Sequence, residues 1–164
     1  MQFTYYGHAT FCIETAGKKL LFDPFFTGNP LAKDIDIMAI QADYIFVSHG
    51  HGDHVADLVA IAKNTGALII AMHEITQWAL QQGCKHVHPL NLGGAKQFDF
   101  GKVKMVPALH SSVLPDGTYG GNPAGFVVST AEGNFYYAGD TALSMEMQLI
   151  PTYAPIDFAI LPIG

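Results

Sequence analysis

Three histidines and one aspartate lie close together in the segment SHGHGDH, residues 48–54. They are His49, His51, Asp53 and His54. Imidazole nitrogens and carboxylate oxygens are good ligands for zinc, and they also bind iron, manganese or nickel. Positions i and i+2 of a helix are about 200° apart, so His49 and His51 could not face one ion from a helix. We therefore expect a metal-binding loop in which Gly50 and Gly52 give the backbone the freedom to bring the imidazoles together.

The segments on either side of this cluster are suited to hold it rigidly. The apolar run YIFVS, residues 44–48, predicts a buried strand that leads directly into the cluster. After the cluster, apolar residues recur at helical spacing from Val55 to Ala62, and Gly66 ends the pattern, which predicts a short amphipathic helix. A polar turn without a ligand is the simpler alternative, but it does not explain why all four positions carry metal-binding residue types.

Strands dominate both ends of the chain and helices its middle. Alternating or apolar runs predict strands in QFTYY (2–6), FCIET (11–15), KLLFDP (19–24), ALIIA (67–71), AKQFDF (95–100), KVKMVPAL (102–109), AGFVVST (124–130), NFYYAG (134–139) and DFAILPIG (157–164). EITQWALQQG (74–83) predicts a second helix, and residues 27–43 an irregular excursion with a short helical turn. We expect one α/β domain, residues 1–164, in which helices cover sheets.

Composition excludes several classes of partner. The chain has 14 acidic and 8 basic residues, a net charge of −6, and every basic residue is Lys. Without a basic stripe or any Arg, nucleic acid is a disfavoured partner. The two cysteines, Cys12 and Cys84, form no disulfide framework and predict free thiols in a reducing compartment. No signal segment or long apolar run is evident, so we expect a cytoplasmic protein without a membrane partner.

Four further residues stand at strand ends, where they could reach the cluster. His110 follows KVKMVPAL, and Asp140, within YYAGDT, ends another strand beside a glycine that permits close approach. His8 follows the first strand and Asp23 the third. These two could orient a ligand or contact the substrate, or they could be ordinary turn residues. The remaining histidines lack a partner motif and are expected to be surface or structural residues: His73, His86 and His88.

HGHGDH resembles the HxHxDH signature of the metallo-β-lactamase superfamily. The segments YYGHATFCIE, LLFDPFFTGNP, NPAGFVV and YYAGDT together resemble a group of small metal-dependent hydrolases related to ascorbate-phosphate lactonases. This resemblance covers essentially the whole chain and implies an αββα sandwich with two metal ions at one edge. It implies that the first ion is held by His49, His51 and His110. It implies that the second is held by Asp53, His54 and Asp140, with Asp140 bridging the two ions.

The same resemblance implies one more histidine ligand near the C-terminus, yet no histidine follows His110. Members of the family continue with more strand and helix, so we expect the fold to lack its C-terminal part. We further expect the first metal site to be retained and the second to be weakened or empty. Uncovered apolar strands would seek a partner surface, which predicts a homo-oligomer.

The expected chemistry is hydrolysis assisted by one or two zinc ions, with manganese, iron or nickel as alternatives. Such ions lower the pKa of a bound water to about 7 and polarise a carbonyl or phosphoryl oxygen. Asp53 would orient the water and pass its proton to the leaving group, and His8 is a candidate donor to the oxyanion. We expect a carbonyl ester or lactone of a small substrate. A phosphodiesterase of the same fold, a diiron redox enzyme and a non-catalytic metal-binding or regulatory module remain alternatives.

Overall fold

The computed structural model describes residues 1–163 and contains two β-sheets. The first sheet consists of β1 (Gln2–Gly7), β2 (Thr10–Thr15), β3 (Lys18–Phe22), β4 (Tyr44–Phe46), β5 (Leu68–Met72) and β6 (Val87–Leu90). The second consists of β7 (Ala95–Gln97), β8 (Lys102–Pro107), β9 (Ala124–Thr130), β10 (Gly133–Tyr137) and β11 (Phe158–Ile160). The strand order is β1-β2-β3-β4-β5-β6 in the first sheet and β11-β10-β9-β8-β7 in the second.

Strand direction determines where the side chains of the cluster emerge. Strands β1, β2 and β3 pair antiparallel, as the alternating N-terminal pattern predicts. Strands β3 to β6 pair parallel, so their carboxyl ends share one edge of the first sheet. The chain leaves β3 at Asp23 and β4 just before the histidine cluster. Residues that are distant in sequence therefore meet along this edge.

Within residues 1–163 four α-helices lie beside the sheets: α1 (Gly52–Val55), α2 (Leu58–Thr65), α3 (His73–Gln81) and α4 (Ile150–Tyr153). Helix α2 ends at Gly66, whose φ is 74°. The predicted start of this helix at Val55 is wrong, because Val55 belongs to the separate turn α1. The two helices are broken at Asp57, whose carboxylate accepts hydrogen bonds from the backbone amides of Phe26 and Thr27 at 2.6 and 2.8 Å.

The core lies between the two sheets and contains a stack of phenylalanines. Phe11, Phe22 and Phe46 stack at centroid distances of 4.5 Å, and Phe126 packs edge-on against this stack. Burial of each such side chain stabilises the fold by about 1.5–3 kcal/mol. Alternate residues of the second sheet face away from this core into a smaller cluster that includes Ile150 of α4. Helices thus cover both sheets, and the predicted αββα sandwich is confirmed.

Most remaining elements follow the sequence pattern, including α3 and the short 3-10 turn Ile37–Ala39 in the irregular excursion. Strand β6 is not predicted by that pattern, because it carries His88 and Pro89 rather than an apolar run. Its proline is tolerated because β6 lies at the edge of the six-stranded sheet among the described residues. No helix within residues 1–163 is both long and apolar enough to cross a membrane.

Candidate functional site

The first group of candidate ligands gathers at the shared edge of the strands. Ligand atoms of His49, His51 and His110 all lie within 4.8 Å of one another. His49 Nε2 is 3.0 Å from His51 Nδ1, and the His110 ring is 5.0 Å from both of their rings. His110 reaches this group from the segment that follows β8 in the second sheet. Three imidazoles from two sheets therefore converge on a space suited to one cation.

Asp140 lies between this group and His54. Its Oδ2 is 3.5 Å from His54 Nε2 and 3.8 Å from His110 Nε2. Ligand atoms of His49, His54 and Asp140 also lie within 4.8 Å of one another. One carboxylate oxygen thus faces imidazoles on both sides.

A third group contains His8, Asp53 and His54, again with ligand atoms within 4.8 Å of one another. His8 Nε2 is 3.2 Å from Asp53 Oδ2. The structure therefore brings together all six predicted metal ligands and His8. The histidines without a partner motif lie outside these groups, since His73 and His86 are exposed and His88 packs edge-on against Phe98.

Asp23 lies behind the centre and holds His54 in place. Its buried carboxylate accepts hydrogen bonds from the amide and hydroxyl of Ser48 at 2.7 and 2.6 Å, from the Tyr137 hydroxyl and from His54 Nδ1 at 2.8 Å. His54 Nε2 consequently faces Asp140 and the centre. This nitrogen is buried and has no hydrogen-bond partner among the described residues. A buried polar atom without a partner is costly, and a cation held between His54 Nε2 and the Asp140 carboxylate would satisfy it.

Charge in the centre suits a divalent cation. Burial disfavours a charge on His54, but the Asp23 carboxylate, to which it is hydrogen-bonded, and the Asp140 carboxylate 3.5 Å from its Nε2 raise the pKa of His54 to about 10. Burial and the neighbouring His54 lower the pKa of His49 to about 4. The His54 imidazole, 3.5 Å from its carboxylate, lowers the pKa of Asp140 to about 2. His49 is therefore neutral and Asp140 ionised, the protonation states in which these groups bind metal, whereas His54 must release a proton to bind one.

The glycines of the cluster act differently from the prediction. Neither Gly50 nor Gly52 has a positive φ. A Cβ on Gly50 would lie 3.2 Å from the Leu114 side chain, because the segment after His110 packs onto the cluster and Ser112 Oγ accepts a hydrogen bond from the Gly50 amide. Gly52 has open space around it and begins α1. Gly50 is thus required for close packing and not for backbone freedom.

The cluster is a loop only in its first half. His49 and His51 precede α1, whereas Asp53 and His54 lie within that helical turn. The prediction of a loop across the whole cluster is therefore wrong for its last two ligands. Sequence reasoning also missed Ser48, Ser112 and Tyr137, which support the site. Ser48 directly precedes the cluster and Ser112 lies in the HSS stretch after His110, but no local signal marks Tyr137.

Comparison with known proteins places this geometry in a family. The model of the β-lactamase superfamily domain matches residues 18–164. A UPF0173 metal-dependent hydrolase of Flavobacterium johnsoniae is 56% identical over all of this chain and 72% of its own length. One from Christiangramia forsetii is 50% identical, over 73% of its length. The structure of a metallo hydrolase from the archaeon Ignicoccus hospitalis superposes with a TM-score of 0.85 at 33% identity, covering 99% of this chain and 70% of that one. The chain belongs to the metallo-β-lactamase superfamily and is a metal-dependent hydrolase.

Proposed function

We propose that this chain hydrolyses a carbonyl ester or lactone of a small substrate with water activated by zinc. The proposed ligands of the first ion are His49, His51 and His110. Those of the second are Asp53, His54 and Asp140, with Asp140 shared between both ions. The observation that carries the assignment is the buried, unpartnered Nε2 of His54, which faces the Asp140 carboxylate at 3.5 Å.

The residues around the centre have separable tasks. When bound, the ions supply Lewis acidity and lower the pKa of coordinated water. Asp23 holds His54 with its Nδ1 protonated, so Nε2 is the nitrogen that would bind metal once its own proton is released. The Asp53 side chain is 49% exposed at the mouth of the site, so it can accept a proton there and deliver it to the leaving group. The ionised Asp140 offsets the charge of the ions.

The surroundings of the centre favour an uncharged substrate over a phosphodiester. A cleft of about 630 Å³ opens beside Asp140 and His8, and its walls include Phe3, Tyr5 and Ile160. Clefts of this size with apolar walls hold small organic molecules. The net charge of −6 and the absence of Arg provide no field to attract a polyanion. An uncharged ester or lactone with an apolar portion suits both the apolar cleft and the negative net charge.

A substrate panel with and without chelator tests this function. Lactones, carboxylic esters, thioesters and bis-p-nitrophenyl phosphate would be compared after metal removal and after zinc is restored. We expect zinc-dependent turnover of a lactone or ester, lost in His110→Ala and kept in His86→Ala, a histidine outside the centre. Faster turnover of the phosphate diester would favour the phosphodiesterase. Binding of zinc without turnover of any substrate would favour a non-catalytic metal-binding module, and a coloured, iron-loaded protein would favour the diiron redox enzyme.

A further inference from the structure

The turn between β1 and β2 presents His8 to the mouth of the site in a fixed conformation. His8 has a φ of 54° and Gly7 a φ of 108°. The Tyr5 hydroxyl donates a hydrogen bond to the His8 carbonyl at 2.9 Å. A Cβ on Gly7 would lie 2.6 Å from the Leu31 side chain, so this turn packs closely against the following excursion. A non-glycine residue with positive φ is strained, and such strain is retained where the side chain is needed in one direction.

That direction points the His8 imidazole at Asp53 and His54. The ring packs edge-on against Phe25 at 5.6 Å and against His54 at 5.1 Å between centroids. Its Nε2 lies 3.2 Å from Asp53 Oδ2. Two ligands with bonds of about 2.0–2.2 Å to a tetrahedral zinc ion have donor atoms about 3.3 Å apart. The spacing of these two atoms is therefore the spacing of two ligands of one ion.

We propose that His8 is itself a ligand of the second metal ion and joins Asp53 and His54, whose ligand atoms lie within 4.8 Å of its own. This inference rests on the proposed two-ion centre.

The assignment excludes the other two roles open to His8. A nitrogen whose lone pair binds an ion cannot donate a hydrogen bond to a substrate oxyanion. A His8 that only orients Asp53 would act by hydrogen bonding and would leave the ion with three protein ligands. These roles differ in how metal affinity responds to substitution, so the inference can be tested without measuring turnover.

Zinc titration of the metal-free 164-residue chain against a chromophoric chelator, with cobalt absorption spectra beside it, separates the three roles. His8→Gly removes the imidazole, and glycine adopts the φ of 54° without strain. His8→Gln keeps a side chain able to hydrogen-bond Asp53 but is a poor zinc ligand. His86→Ala is the matched control, because His86 is exposed and lies outside the three ligand groups.

We expect the wild type and His86→Ala to bind two ions. Both His8 variants should keep the affinity of the first ion, bind the second at least about tenfold more weakly and change the cobalt spectrum at the second equivalent. Unchanged affinity and spectra in both variants would overturn the inference alone. Loss in His8→Gly but not in His8→Gln would also overturn it and assign His8 to orienting Asp53. If the wild type bound only one ion, the proposed second metal site would be wrong. If it bound no ion, the proposed metal-dependent function would be wrong as well.

Discussion

Replacing Asp23 with asparagine tests the link between the buried carboxylate and the metal centre. Asparagine has nearly the same shape and tolerates the positive φ of 40° at this position, so the backbone contributes little cost. The change removes the negative charge and converts one acceptor oxygen into an amide donor. The substituted side chain would still accept a hydrogen bond from the Ser48 amide, and the hydroxyls of Ser48 and Tyr137 can rotate to accept one.

His54 cannot adapt so easily. Its Nδ1 donates to Asp23 at 2.8 Å, and both side chains are fully buried. Removing one partner of a buried charge pair costs about 3–5 kcal/mol. The side-chain amide of Asp23→Asn can donate a hydrogen bond to His54. His54 would then accept this bond at Nδ1 and carry its proton on Nε2, which relieves the cost. That tautomer has no lone pair directed at the centre, so metal affinity should fall about 10–100-fold. We expect a loss of about 3 kcal/mol in the free energy of unfolding of the metal-free chain.

Urea unfolding in the presence of chelator measures the loss of stability. Zinc titration without chelator measures the loss of metal affinity. Asp34→Asn is the matched control, because Asp34 is exposed and its substitution should change stability by less than about 0.5 kcal/mol. If Asp23→Asn were as stable as this control and bound zinc as tightly as the wild type, the reasoning would be refuted.

Three other predictions follow from the same structure. Gly139→Ala should destabilise the chain by about 2–4 kcal/mol in urea unfolding, because its φ is 63° and its Cβ would lie 2.7 Å from the Ala124 carbonyl. The control Gly66→Ala, with φ 74° and open space, should cost only about 1 kcal/mol, and equal losses would contradict the packing argument. Since Asp23 and Asp140 raise the pKa of His54 to about 10, zinc must displace its proton, so affinity should rise with pH up to that value. Calorimetry in buffers of different ionisation enthalpy should detect about one proton released near neutral pH, and no release would contradict this state of His54. Exposed apolar side chains such as Leu143, at 89%, and Met145, at 73%, favour self-association, which sedimentation velocity would detect as concentration-dependent dimers and a purely monomeric protein would disprove.

Local patterns in the sequence predict the parts of the fold that depend on nearby residues. Alternation defines the strands of the N-terminal meander, and the apolar side of α3 follows from helical periodicity. The start of α2 could not be predicted in this way, because Asp57 breaks the helix by binding the backbone of residues 26–27. Strand β6 also depends on a tertiary contact, because its pairing with β5, and not its composition, makes it a strand. Its sequence therefore does not predict it.

In the candidate site, too, the sequence predicts local features but not tertiary contacts. Ligand types, glycine spacing and strand-end positions are local features, so they identify the residues that converge at the edge of the sheet. The partners of those residues depend on tertiary structure. Nothing near Asp23 in the sequence predicts that it pairs with His54, and nothing near His8 predicts its contact with Asp53. The sequence therefore suggests that Asp23 and His8 could orient a ligand, but only the fold shows which ligand each one contacts.

Anomalous diffraction at the zinc edge, from crystals of the chain purified without chelator, tests the central claim most directly. We expect one peak among the imidazoles of His49, His51 and His110, and a second beside His54, with the Asp140 carboxylate between them. Peaks elsewhere on the molecule, or none in crystals soaked with zinc, would contradict the assignment of this edge as the metal centre.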